Sequence, residues 1–164
     1  MNSESEQLRS AQWILERNLG WIAASDAKTG VVAAIDTAML AGLAAAFSEA
    51  HHPVHNLWAM LYSCLAVAFL CIGMLWAARA LFPRVSGPKK SHIYAGCIIE
   101  QSAADFADSF RRATVDQLLD DCLLQIHRNA EIASQKFRCV RAAMAWSLAS
   151  VLPWICALAV LVGS

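Results

Sequence analysis

The chain has 164 residues, 58% of them hydrophobic and only 16% charged, with 13 Lys and Arg balanced by 13 Asp and Glu. That balance leaves no electrostatic footprint for bulk nucleic-acid binding, and the length suits one functional unit rather than an array of domains. Six cysteines without a single CxxC pair point away from a disulfide framework and towards reduced, packing thiols.

The opening segment, 1–29, reads as a cytoplasmic N-terminal helix. Ser3 and Glu6 have capping-box spacing, and Leu8, Leu15, Leu19 and Ile22 then recur with helical periodicity. Glu4, Glu6 and Glu16 stand where a signal peptide would be basic, and no small-residue cleavage site follows, so the segment is not a signal peptide. Gly20 and Gly30 are candidate kinks, although one helix running from cytoplasm into bilayer fits the sequence equally well.

Three mainly apolar runs, 30–47, 57–78 and 142–163, contain the features of membrane spans. A helix needs roughly 20 residues to cross ~30 Å of hydrocarbon, and these runs lack the alternation of barrel strands. They divide the chain into 1–29, a two-span segment 30–82, a cytoplasmic helical region 83–141, and a third span 142–164. The expected fold is all-α: an integral membrane protein with about three transmembrane helices and cytoplasmic amphipathic helices.

The first run is at the short limit and carries Asp36, a carboxylate whose placement in a span costs at least ~2.5 kcal/mol and is a functional-site hypothesis unless it is buried as the neutral acid. In the same run Ala34, Ala38, Gly42 and Ala46 recur every four residues, a spacing that lets another helix approach closely. That helix is either a neighbouring span of the same chain or a second copy. Ala34, Asp36, Ala38 and Gly42 are therefore the candidates for membrane assembly. His51, His52 and His55 follow in the turn between the first two spans, but Glu49 is the only carboxylate near them, and no metal site is expected.

The stretch 83–90 is rich in helix breakers and lysines, as suits an exit from the membrane beside anionic headgroups. Residues 92–110 form a helix, or a short extended piece at 92–95 followed by a helix ending near Phe110. Thr114 and Gln117 make a second capping box. Beyond it Val115, Leu118, Leu119, Cys122, Ile126, Ala130, Ala133, Phe137 and Val140 trace an apolar stripe on a helix that meets no Pro or Gly before the third span, where Pro153 can kink it.

Nine of the 13 basic residues lie within 83–141, three precede the first span, and none occupies 48–56. The positive-inside rule places the N-terminus and the central segment in the cytoplasm, and the His-containing loop and C-terminus outside.

No Walker loop, GxGxxG, GxSxG or HExxH motif is present, and no catalytic constellation is expected. Asp26 and Lys28 stand just before the first span, while Gln125, Asn129 and Lys136 share one face of the long helix. These five are the candidate ligand-binding residues. In one reading they form a polar seam that satisfies itself; in the other, the ammonium groups of Lys28 and Lys136 hold an anion while amides read a base edge.

The run 21–40, WIAASDAKTGVVAAIDTAML, resembles the "ADxKAxxLLxxNGALL" opening of the small transmembrane effectors of Pycsar anti-phage systems. Phe82-Pro83-Arg84, SHIYAG at 91–96, DCLLQIH at 121–127 and IASQKF at 132–137 follow in the same order, so the resemblance covers nearly the whole chain. Asp36 replaces a neutral Asn of that pattern, and Tyr94-Ala95-Gly96 a more aromatic pair. The resemblance implies a non-enzymatic, multi-pass effector of the bacterial inner membrane. It would need no cofactor and would be activated by cyclic UMP or cyclic CMP from a partner nucleotide cyclase. Its partners would be membrane lipids and, in a homo-oligomer, further copies of itself, with no nucleic acid. The nucleotide site would come from the cytoplasmic helices themselves. The competing expectations are a membrane scaffold that recruits a partner through those helices and an enzyme acting on lipid headgroups.

Overall fold

A computed structural model of the chain describes residues 3–50, 56–82 and 91–163. The chain order is α1 (Ser3–Glu49), α2 (Leu57–Leu81), α3 (Ala95–Ile99), α4 (Ala103–Arg112) and α5 (Val115–Val162), with no strand among the described residues. Three of these helices, α1, α2 and α5, are long and apolar enough to cross a membrane. The all-α membrane fold read from the sequence is the observed one. The expected histidine turn at 51–55, the exit at 83–90 and the side chain of Ser3 lie outside the described residues.

The residues fall into two compact units. The first takes the described residues of Met1–Ala24 and Pro83–Gln135, the second those of Ser25–Phe82 and Lys136–Ser164.

The second unit carries the spans, and its residue distribution is the reverse of that of a water-soluble domain. Only 17–28% of each apolar window is buried, which leaves a band of leucines and aromatics facing outward. Leu57, Leu75, Leu148 and Leu152 are each at least 70% exposed. Such a surface is stable against lipid, which solvates leucine as well as protein does. The interior is made of small residues instead. On α2 the buried positions are Ala59, Ser63, Ala66, Leu70, Gly73, Ala77 and Ala80, alternately four and three residues apart. This 3.5-residue repeat keeps one face turned towards packed neighbours along the helix. Leu43, Ala59, Ala66, Ala157 and Leu161 form one cluster, Val32, Ala77 and Ala143 a second, and Ala80, Cys139 and Val140 a third.

Polar bonds fix the register of these helices. Asn56 caps α2 by accepting from the N–H groups of Trp58 (3.1 Å) and Ala59 (3.2 Å). The Trp154 indole N–H donates to the Met39 carbonyl at 2.8 Å, tying α5 to α1. The Phe69 and Trp146 rings pack 5.3 Å apart.

The first unit contains α3, α4 and the described parts of α1 and α5 that fall within its bounds. The stretch expected to be one helix over 92–110, or an extended piece and one helix, is two helices broken at 100–102. Ser102 is the cause: its hydroxyl accepts from the Asp105 N–H (3.1 Å) and donates to the Asp105 carboxylate (2.6 Å), starting α4 afresh. Arg111 and Arg112 sit in the last turn of α4, where cations suit the helix dipole. The Thr114–Gln117 capping box forms as read, with reciprocal bonds of 3.0 and 3.3 Å.

Two expected stripes are corrected in part. On α1 the buried positions of the first unit are Ala11 and Asn18, while Leu19 is 51% exposed. On α5, Cys122, Ala133 and Val140 of the expected stripe are buried and Leu118, Leu119 and Ile126 are half-buried, whereas Val115 and Phe137 are each 41% exposed, Ala130 faces outward, and Gln125 and Lys136 are buried in addition. Small and polar residues take the most buried positions, with Leu8, Leu15, Ile22, Leu118, Leu119 and Ile126 half-buried beside them.

Candidate functional site

In the first unit, the family-like segments SHIYAG and DCLLQIH meet. Ser91 builds a tight turn, its hydroxyl accepting from the N–H groups of Ile93 (3.0 Å) and Tyr94 (2.8 Å). The turn presents the His92 N–H to the carboxylate of Asp121 at 2.6 Å. A charge-assisted bond of this length, far apart in sequence, pins the segment before α3 onto α5. The His92 ring meets Phe110 edge-on at 6.3 Å.

Two polar atoms remain buried there without a hydrogen-bond partner among the described residues: the second carboxylate oxygen of Asp121 and Nδ1 of His92. Leaving such groups unmet costs about 1–3 kcal/mol each, so they mark either hydration or a ligand. His92 and Asp121 also line an open cleft of about 640 Å³, together with Glu100, Gln101, Ser109, Gln117 and Asp120. The Gln101 amide donates to the Cys97 carbonyl (2.9 Å), which holds it at the wall. Burial, and then the Asp121 carboxylate, raise the pKa of the adjacent Cys122 thiol above its ordinary value, so this cysteine is an inert packing group. The cleft thus offers hydrogen-bond acceptors and amides, and no cationic side chain among its lining residues.

The five residues read as a ligand set are not gathered in this cleft. Gln125 is buried, its amide nitrogen unpartnered among the described residues, and Asn129 is half-buried, both in the first unit. Asn18, which the sequence reading passed over, is 2% exposed and donates to the Ile126 carbonyl at 3.0 Å in that unit. Its seven-residue spacing from Ala11 was the available signal.

Asp26, Lys28 and Lys136 belong to the second unit. The Lys136 ammonium is buried and donates to the Asp26 carboxylate, while Lys28 is exposed. Lys136 therefore has a counter-ion within the protein. Ser25 and Thr29 complete the buried polar face of α1 near it, with the Thr29 hydroxyl donating to the Ser25 carbonyl at 2.9 Å.

The four candidates for membrane assembly divide in the same unit. Ala34, Ala38 and Gly42 are exposed, and a side chain at Gly42 would meet the Trp154 ring of α5 at 3.6 Å. Asp36, by contrast, is 0% exposed and lies inside the bundle, off the outward face of the other three.

A model of the Pycsar effector protein domain matches residues 10–163 of this chain. Neither the curated proteins nor the solved structures contain a significant match. With nearly its whole length in that match, and with three apolar helices of spanning length, the chain belongs to the PycTM family and is a membrane effector of Pycsar anti-phage defence.

Proposed function

We propose that this effector is switched on by a cyclic pyrimidine mononucleotide from a partner cyclase and then impairs the bacterial inner membrane, causing abortive infection. It acts by binding and assembly rather than by catalysis. Its N-terminus is cytoplasmic and its C-terminus external, as the basic residues at 83–141 require under the positive-inside rule.

The observation that carries the reading is the cleft lined by His92 and Asp121, each of which has a buried polar atom without a partner among the described residues. A 3′,5′-cyclic nucleotide has one free ribose hydroxyl, a donor suited to a carboxylate, and a pyrimidine edge suited to glutamine amides. The acidic lining favours the nucleoside half inside and the phosphate at the mouth. Exposed Ala34 and Ala38, with Gly42 beside the Trp154 ring, supply a close-packing face through which activated copies assemble.

Binding of labelled cyclic UMP and cyclic CMP to the full chain in detergent tests this reading. Loss of a charge-assisted bond of about 1.5–3 kcal/mol makes Asp121→Asn bind roughly tenfold or more weakly. Unchanged affinity in that variant would remove the cleft from the site, and absence of binding by the unmodified protein would refute the ligand class.

A further inference from the structure

In the membrane unit, α5 carries two arginines, Arg138 and Arg141, about one helical turn apart and both exposed. Residues three apart on a helix have Cβ atoms about 5–6 Å from each other, so the two guanidinium groups share one face and repel. Neither meets a carboxylate: among the described residues the ion pairs are Arg111–Asp108, His127–Glu131, Arg128–Glu131 and Lys136–Asp26. No acidic residue stands three or four positions from either arginine, so the helix itself offers them no counter-charge.

The pair adjoins an apolar surface. Arg141 is the last charged residue of α5, and Leu148 and Leu152 continue its face into the span with 70% and 72% exposure. Met144, also exposed, flanks them. This face turns away from the inward line of Lys136, Cys139, Val140 and Ala143, which packs on α1 and α2. Side chains on a helix lean towards its N-terminus, and arginine carries its charge on a long apolar stem, so both guanidinium groups reach away from the hydrocarbon into the headgroup layer. At the same end of the unit Lys28 of α1 and Arg79 of α2 are exposed, each the single cation of its helix there.

A pair of unmatched cations joined to an exposed leucine face fits a molecule with an anionic head and apolar tails. We propose that Arg138 and Arg141 clamp the phosphate of an anionic phospholipid whose acyl chains lie along Met144, Leu148 and Leu152. Guanidinium groups hold phosphate oxygens through paired N–H donors, and one phosphate between the two relieves their mutual repulsion. A zwitterionic phospholipid brings its own ammonium to the same place and compensates the pair less well, while a soluble phosphate gains nothing from the leucines. The site is independent of the nucleotide reading, and its test contains no nucleotide.

Native mass spectrometry of the full chain, released from a neutral detergent holding equimolar phosphatidylglycerol and phosphatidylcholine with matched acyl chains, reads the bound lipid directly. Each basic residue near a membrane surface favours an anionic lipid by about fivefold, so phosphatidylglycerol adducts should exceed phosphatidylcholine adducts by roughly tenfold or more. Arg138→Gln/Arg141→Gln should bring that ratio to near parity. Arg138→Gln and Arg141→Gln alone should each lower it by about fivefold, which covers a double variant that does not fold. Lys28→Gln/Arg79→Gln removes as much charge from the same end and should keep most of the preference. Glycerol phosphate, the soluble head alone, should displace no lipid at the lipids' own concentration. Equal retention of the two lipids by the unmodified protein would overturn the site, as would an undiminished ratio in the arginine variants. An equal loss in Lys28→Gln/Arg79→Gln would replace the paired site with diffuse surface charge, and displacement by glycerol phosphate would replace the lipid with a free anion.

Discussion

Breaking the Asp26–Lys136 pair should give an asymmetric result, because the two side chains are unequally buried. The Lys136 side chain is 8% exposed and that of Asp26 is 38% exposed. Asp26→Asn strands an ammonium in the bundle, at a cost of about 3–5 kcal/mol, typical of an uncompensated buried charge. Lys136→Met keeps most of the aliphatic stem and leaves a carboxylate that already reaches solvent. Its cost should be confined to the lost charged bond, about 1.5–3 kcal/mol. The double variant Asp26→Asn/Lys136→Met should then be more stable than Asp26→Asn alone. Unfolding in detergent, followed by helical circular dichroism across this double-mutant cycle, reads each quantity. Equal single-variant costs that simply add would refute the reasoning. A stable Lys136→Met protein with selectively lost nucleotide binding would instead make Lys136 an anion-holding residue.

Ser102→Ala should cost about 1 kcal/mol, as loss of a helix cap does, and should accelerate amide exchange in Ala103–Arg112 more than in the rest of the first unit. Trp154→Phe keeps the ring but loses the donor to Met39, and detergent unfolding should show a loss of about 0.5–1.5 kcal/mol. Ala38→Leu should leave the Tm of the solubilised protein unchanged, since Ala38 faces outward, while abolishing growth arrest on nucleotide induction at equal membrane abundance. Cys122 should resist maleimide at neutral pH in the folded protein and react after denaturation, because burial and Asp121 keep its thiol protonated.

The spans were legible because length and apolarity are one-dimensional properties, and the Thr114–Gln117 box because a cap is local in sequence. The break at Ser102 was local too, but helical propensity across 92–110 obscured it. The inward faces were misread for a different reason. In the membrane unit, lipid removes the preference of large apolar residues for the interior, and small residues take it; in the first unit, Asn18 turns inward because its amide donates to the Ile126 carbonyl, a contact no periodicity reports. Asn18, Gln125 and Lys136 are buried, and Leu19 and Phe137 are not. The Asp26–Lys136 pair was hidden because its members lie 110 residues apart in sequence, a separation that no periodicity reports. The His92–Asp121 bond, spanning 29 residues, was hidden for the same reason, although both segments had been recognised by resemblance.

The central claim is that a cyclic pyrimidine nucleotide alone converts this protein into a membrane-damaging state. Purified full-length protein reconstituted into dye-loaded vesicles of bacterial inner-membrane lipids tests it directly. Addition of cyclic UMP or cyclic CMP should release the dye in a dose-dependent manner, with cyclic AMP inactive and Asp121→Asn requiring roughly tenfold more ligand. Vesicles that stay sealed with either pyrimidine nucleotide, or that leak equally without one, would contradict it.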